Sequence, residues 1–175
     1  MNEEELIDAK KYLRCSYRFR GVVISHTSTL ESVVEDFISG YFFREHSQKR
    51  LSFLNLLNKK LKSFDMKVEM FEDLIKENLL LEEGQLKILK DKITFVSRHR
   101  NILAHWLLSS EPEDFMLFDE AKPILTFFKL NKNAKVGAVD AIDFEIFSEE
   151  RIDSIINESL FCINMIEDLR KSLGF

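Results

Sequence analysis

The apolar positions near the start of the chain recur at the spacing of a helix. From about residue 3 to residue 43 they step by four and three residues, which predicts an amphipathic helix. Gly21 and the three β-branched residues after it weaken helix propensity there, so this segment is expected as one helix or as two. The stripe consists of Val23, Thr27, Leu30, Val34, Phe37 and Tyr41.

Three more helices follow from the same kind of pattern. The first covers about residues 48–63, where leucines recur at helical spacing. The second runs through residue 79 from an expected N-cap at Asp65. The third runs from about residue 85 to residue 108 and ends where the Ser-Ser-Glu-Pro of residues 109–112 gives a stop signal.

The pattern then changes to that of strands. Residues 124–130 are rich in β-branched and aromatic side chains, and apolar residues alternate with acidic ones over residues 142–146. Asn and Gly residues within 131–137 mark a loop between them, so we expect a small β-hairpin. Ser148 then caps a last helix, whose apolar stripe extends over residues 152–169.

The composition agrees with an all-α protein that forms a single domain over residues 1–175. Only 5 Gly and 2 Pro interrupt the chain, which favours long helices. The formal net charge of −5, from 25 Lys and Arg against 30 Asp and Glu, excludes a strongly cationic nucleic-acid-binding arm but not a local basic site. Cys15 and Cys162 are far apart in the sequence and have no spacing typical of a zinc site, so we expect two buried, reduced thiols. The charged amino terminus and the lack of a long apolar run predict a cytoplasmic protein without a membrane span.

The carboxyl end of the predicted fourth helix carries an unusual cluster of cations. On a helical wheel Arg100 lies within about 60° of five apolar residues, in the middle of an apolar face. A buried guanidinium must be paired, and one interpretation is a structural ion pair with Glu31 or Glu35. The five apolar residues are Leu89, Ile93, Val96, Leu103 and Leu107.

Asn101 and His105 are four residues apart and share the polar arc of this helix with Arg98. Such a group suits phosphate chemistry, because an imidazole can move a proton, a guanidinium can hold a phosphate and an amide can orient either. The plain alternative for His105 is an exposed or capping histidine in the last turn of a helix. His26 and His46 are expected to be structural and solvated, respectively.

The string Arg100-Asn101-Ile102-Leu103-Ala104-His105 resembles the signature of the HEPN superfamily. That signature is an Arg, a polar residue that is often Asn, and a His after four to six intervening residues. The resemblance covers six residues as a motif and roughly residues 13–169 as an architecture. It implies a HEPN-like up-and-down helical bundle with the hairpin before the last helix.

The resemblance also implies a function. HEPN proteins of this type cleave RNA without a metal at a site built across a homodimer, and many act as toxins in toxin–antitoxin or phage-defence systems. By this resemblance Arg100, Asn101 and His105 would be catalytic, and Arg98 and His99 would bind substrate. The expected partners are RNA, a second copy of the chain and an antitoxin protein, with no metal, cofactor or membrane.

Two features of the motif leave alternatives open. Arg100 and His105 point about 140° apart on an ideal helix, so they converge only through side-chain length, local distortion or the partner subunit. Arg98 also satisfies the looser spacing. Leu107 stands where some relatives carry a modified Tyr, so that mode of neutralisation is not expected. The rival interpretations are a catalytically silent HEPN module that binds a protein or a nucleotide, and a helical scaffold.

Overall fold

A computed structural model describes residues 3–44, 47–111, 114, 118–130 and 142–175, without the side chains of residues 3–5. The described chain is mostly helical with a small three-stranded sheet, so the prediction of a mainly helical fold is confirmed. His46 and the predicted loop at residues 131–137 lie outside the described residues. The elements in chain order are α1 (Glu3–Phe42), α2 (Gln48–Lys60), α3 (Phe64–Glu77), α4 (Glu83–His105), β1 (Leu107–Leu108), β2 (Ile124–Leu130), β3 (Ile142–Ser148) and α5 (Glu149–Leu173).

Helix α1 is continuous, and the alternative of two helices that meet at Gly21 is wrong. Four residues of its apolar stripe are completely buried, and this packing outweighs the low helix propensity of one glycine. A Cβ built on Gly21 would meet no atom within 4 Å. The four buried residues are Val23, Leu30, Val34 and Phe37.

Helix α3 begins two residues earlier than predicted. Ser63, not Asp65, is its N-cap, and the Ser63 side chain accepts a hydrogen bond from the main-chain N–H of Met66. Asp65 lies in the first turn, where its carboxylate accepts a hydrogen bond of 3.1 Å from the hydroxyl of Ser97. Both residues are good caps, and a partner distant in the sequence decided between them.

Helix α4 ends at His105, three residues before the predicted end, because the chain there joins a sheet. Leu107 pairs with Phe128, which adds β1 as a short third strand beside the predicted hairpin. The sheet has the order β1-β2-β3 and is antiparallel throughout. Its inner face is fully buried at Leu125, Phe127 and Phe147. As predicted, Ser148 caps the last helix, accepting a hydrogen bond from the N–H of Arg151.

The residues group into two compact units, each of which combines distant parts of the sequence. One consists of Met1–Ser25 and Arg98–Ile156, and it contains the sheet. The other consists of His26–Ser97 and Asn157–Phe175, and it contains α2 and α3. The three longest helices each contribute residues to both units.

The second unit contains a buried ammonium group. Lys67 on α3 is 5% exposed, and its Nζ donates to a carboxylate oxygen of Glu31 at 2.6 Å and to one of Glu35. Burial disfavours the charged form, but the hydrogen bonds and charges of the two carboxylates outweigh it and raise the pKa of Lys67. The two glutamates considered above as partners of Arg100 therefore hold a lysine instead.

Replacement of this lysine tests the ion triad. We expect Lys67→Gln to lower the free energy of unfolding by about 3 kcal/mol, because two partly buried carboxylates lose their cation. Urea denaturation measures the loss. Lys171→Gln removes an ammonium from an exposed surface pair and is the matched control, with a nearly unchanged stability. Equal effects of the two substitutions would contradict a special role for Lys67.

Candidate functional site

The predicted motif occupies the last two turns of α4, within the first unit. Asn101 and His105 are exposed and Arg100 is half-buried. The Nη1 of Arg100 donates a hydrogen bond of 3.0 Å to Oδ1 of Asn101. This bond uses the amide oxygen of Asn101 and leaves its NH₂ group as a donor. The two side chains together therefore present hydrogen-bond donors and one positive charge.

The positive charge of Arg100 lacks a carboxylate partner among the described residues. Arg50, Arg151 and Arg170, which are also buried or half-buried, each bond a carboxylate. The ion pair considered for Arg100 with Glu31 or Glu35 is not found in the described part of the chain. A half-buried guanidinium bonded only to a neutral amide is suited to bind an anion, and a phosphate fits its geometry.

His105 is exposed in the last turn of α4 and has no hydrogen-bond partner within the described ranges. Its backbone is nevertheless fixed by an arginine from α1. Arg20 donates from Nη1 to the carbonyl of Leu103 at 2.6 Å and from Nη2 to the carbonyl of Trp106 at 2.9 Å. These are among the carbonyls that a helix end leaves without partners. The imidazole thus projects from a rigid backbone into solvent.

Arg20 is itself held in place by an aromatic ring. Its guanidinium lies 4.8 Å from the centroid of the Phe127 ring on the inner face of the sheet. Burial lowers the pKa of Arg20 from its usual value, which still leaves it charged. Sequence patterns did not identify Arg20, because every residue has a main-chain carbonyl. The residue types therefore do not show which carbonyls an arginine will bind. In the sequence, Arg20 is one of five cations within residues 10–20, a stretch that by itself predicts only a solvated helix face.

Arg98 and His99, the expected substrate-binding residues, contact protein groups. Arg98 forms an ion pair of 2.6 Å with one oxygen of Glu145, and Arg151 binds the other oxygen at 2.7 Å. His99 is only 3% exposed, and its Nε2 lies 2.9 Å from Nη2 of Arg151. Since a guanidinium only donates, Nε2 must accept, which assigns a neutral ring protonated on Nδ1. The expected contact of His99 with substrate does not fit this burial.

The carboxylate of Glu145 joins strand β3 to the ends of two helices. Burial opposes its ionisation, but the hydrogen bonds and charges of Arg151 and Arg98 outweigh this and lower the pKa of Glu145. Its charge neutralises part of the cation cluster, so that Arg98 and Arg151 share one carboxylate. Sequence alternation placed Glu145 on a strand but gave no indication of these partners.

A dimer axis through the motif is expected to bury Leu103, Trp106 and Leu107, but these residues differ in how much surface the subunit leaves exposed. Leu103 is already fully buried within the subunit. The ring of Trp106 is half-buried and has the ammonium of Lys129 at 5.0 Å from its centroid. Leu107 remains 59% exposed. Only the last of these offers a substantial apolar surface to a partner.

No group of three His, Cys, Asp or Glu side chains within the described ranges is close enough to hold a metal ion. In the same part of the chain, no helix is both long and apolar enough to cross a membrane. Comparisons with models of protein families, with curated proteins and with solved structures find no match to this chain.

Replacement of Arg20 tests whether it holds the end of α4. We expect Arg20→Lys to lower the free energy of unfolding by about 2 kcal/mol, because one ammonium nitrogen replaces the two guanidinium nitrogens that each donate to a different carbonyl. Trp106 is the sole tryptophan, so acrylamide quenching of its fluorescence should increase in the variant. Arg14→Lys, at an exposed position on the same helix, is the control and should change neither quantity. Unchanged quenching in Arg20→Lys would contradict the clamp.

The Glu145 network predicts a pH dependence of stability. A carboxylate whose pKa is lowered on folding stabilises the protein at pH values above its ordinary pKa of 4.5. This contribution is lost as the pH falls through the pKa of the folded state. We expect Glu145→Gln to lower the free energy of unfolding by about 2 kcal/mol at neutral pH. The loss should become progressively smaller as the pH falls below the ordinary pKa of 4.5. Denaturant titrations across the acid range measure this, with Asp168→Asn at an exposed pair as control. A difference that is constant with pH would be inconsistent with the network.

Proposed function

We propose that this protein is a HEPN-type, metal-independent endoribonuclease. The observation that carries the proposal is the Arg100–Asn101 pair, a half-buried cation without a carboxylate, five residues before an exposed histidine on a clamped helix end. The resemblance of the motif to the HEPN signature supports the same reading. Charge compensation favours Arg100 over Arg98, since Arg98 already binds Glu145.

The proposed chemistry is the transfer of an RNA phosphodiester to its own 2′-hydroxyl. His105 removes the proton of the 2′-hydroxyl, whose oxygen attacks the adjacent phosphorus. The bond from phosphorus to the 5′-oxygen breaks, giving a 2′,3′-cyclic phosphate and a 5′-hydroxyl that takes a proton from a second imidazole. Arg100 and the NH₂ of Asn101 stabilise the charge that develops on the phosphate oxygens.

The second imidazole would come from another copy of the chain. Arg100 and His105 diverge by about 140° on a regular helix, and of the three routes by which they could converge, only a partner subunit also provides a second imidazole. Two helix ends, each with its own Arg100 and His105, would supply an acid and a base on opposite sides of the scissile bond. We further infer from the resemblance that the protein is a toxin of a toxin–antitoxin or phage-defence system.

A catalytically silent HEPN module that binds a protein or a nucleotide is the second candidate. The specific observation in its favour is electrostatic: the net charge is −5, and Glu145 binds both Arg98 and Arg151 beside the motif and cancels one of their two positive charges. Both features weaken long-range attraction of RNA. In such a module, Arg100 would still bind an anion, but the protein would not cleave RNA.

Cleavage of bulk RNA in EDTA tests the proposed function. The wild-type chain should leave 2′,3′-cyclic phosphate ends, and His105→Ala should lower the rate by about 100-fold or more, as loss of an acid–base group does. Arg100→Ala should reduce it by a similar factor, because a donor to the developing charge is lost. His26→Ala removes a histidine of the second unit and should be as active as wild type.

Two outcomes would contradict this proposal. Full activity of His105→Ala would remove the mechanism, and absence of cleavage by the wild-type chain would favour the silent module. An RNA substituted with 2′-deoxy residues provides the substrate control, because it lacks the attacking hydroxyl and must resist cleavage. Growth arrest on expression, relieved by His105→Ala, would be expected of a toxin.

A further inference from the structure

The outer face of the sheet exposes a continuous apolar surface. Cross-strand pairing places Leu107, Phe128 and Phe144 in one row on this side, and the pair of Thr126 and Ile146 lies next to it. The inner face contributes buried side chains to the core of the subunit. The outer face contributes six apolar side chains that remain exposed. We define the outer patch as the exposed apolar residues of this face: Leu107, Ile124, Leu130, Ile142, Phe144 and Ile146.

The outer patch is larger than monomeric proteins usually expose. Its six residues are between 40% and 63% exposed. At roughly 200 Å² for a fully exposed residue of this size, they present about 700 Å² of surface, whereas the largest apolar patch of a typical monomer is about 300–600 Å². Burial against an equal surface would remove about 1,400 Å² from water, which falls in the range of specific protein interfaces.

The outer patch also carries no charge. Every outward position of β2 and β3 is occupied by an uncharged side chain, although 31% of the whole chain is charged. The charged residues of these strands, Lys129, Asp143 and Glu145, alternate onto the other face. An antiparallel sheet with one solvated face ordinarily has polar residues outward, so this face has the composition of a buried one.

Association through the edge of the sheet is disfavoured by Arg151. The carbonyl of Thr126 accepts a hydrogen bond from Ser109 on the β1 side, so the pair of Thr126 and Ile146 is not hydrogen-bonded across β2 and β3. The Ile146 carbonyl therefore points away from β2, and it accepts a hydrogen bond from Nη1 of Arg151. One main-chain acceptor of this edge is therefore already used within the subunit, which weakens the edge as a template for an added strand. The larger exposed surface is the face.

We propose that the outer patch is the surface through which two copies of this chain associate, face to face. A second copy supplies an equally flat, uncharged apolar surface, so no charge is buried and the contact is self-complementary about a two-fold axis. A lipid surface fits less well, because membrane-binding faces are bordered by unpaired cations, whereas Lys129 at the rim is paired with Asp143.

This inference deepens the proposed function and rests on it in one respect. Leu107 belongs to the outer patch and follows His105 by two residues, so the contact surface is continuous in sequence with the catalytic helix end. Association here would put both helix ends on the same dimer. The outer patch would then supply the second copy that the composite site needs.

The association state of the 175-residue chain tests this surface. We expect the wild-type chain to sediment as a dimer at micromolar concentration. Phe144→Glu should raise the dissociation constant of this dimer by roughly 100-fold, because it places a charge at the centre of the apolar contact. Leu56→Glu is the matched control, since Leu56 is a 53% exposed leucine of α2 outside the patch. It adds the same charge and should leave the dimer intact.

Site-specific labelling keeps the test informative if Phe144→Glu does not fold. Cys15 and Cys162 are buried, and burial raises the pKa of both thiols, that of Cys162 to about 12, so neither reacts readily. The single new thiol of Ile146→Cys should react with a maleimide more slowly as the protein concentration rises. Leu56→Cys should react at a rate independent of concentration.

The outcomes separate this inference from the proposed function. A wild-type chain that is monomeric at micromolar concentration, or a dimer that survives Phe144→Glu with unprotected Ile146→Cys, would overturn the outer patch as the dimer surface. A dimer broken by Phe144→Glu supports it even if RNA is never cleaved, in which case only the nuclease proposal fails. If both hold, Phe144→Glu should lose RNA cleavage together with dimerisation, while Leu56→Glu keeps both.

Discussion

One arginine near the start of the chain fixes the end of the helix on which the proposed site depends. A helix terminates with carbonyl groups that have no partner, and these must be satisfied before the chain can leave the helix in a definite direction. Arg20 satisfies the carbonyls of Leu103 and Trp106 with its two terminal nitrogens while its guanidinium lies against an aromatic ring of the sheet. The chain can then turn at Trp106 and enter β1. His105 lies between the two clamped carbonyls, so its exposure is combined with a rigid backbone, which is what acid–base chemistry requires of a side chain that must meet a substrate.

The second constraint is the distribution of charge around this helix end. Glu145 is shared by Arg98 and Arg151, and Arg151 also faces the ring of His99, so these side chains form a closed polar network. The network requires a neutral His99 and keeps it in the interior. Arg100, on the same helix, is left with an amide as its described partner. An acidic protein can thus present a local anion site, because a local potential depends on which cations are compensated and not on the net charge.

The sheet connects this site to the surface of the molecule. Its inner face carries Phe127, the ring against which Arg20 lies, and its outer face is uncharged and exposes six apolar side chains. The same short strand that follows His105 contributes to the outer patch through Leu107. The proposed contact through the outer patch and the proposed site of two helix ends therefore both depend on one connection, the direct passage from α4 into β1.

The sequence alone determined the helices, the two hairpin strands and the motif, because helix periodicity, strand alternation and capping act within one or two turns of chain. Strand β1 was not predicted, because its two residues form a strand only by pairing with the distant β2. The stripe of α1, the hairpin strands and the cap at Ser148 were predictable for this reason, as was the gathering of Arg100, Asn101 and His105 on one helix. Tertiary structure decided what distant partners decide: that Ser63 and not Asp65 caps α3, that α4 stops at His105, and that Glu31 and Glu35 hold Lys67 instead of Arg100. It also decided that His99 is buried and Arg100 is not, since a helical wheel gives the angle between two side chains but not which arc meets the rest of the protein. The local sequence does not distinguish one arginine or lysine of this chain from another. Which of them is held in place depends on carbonyl and carboxylate groups that lie far away in the sequence.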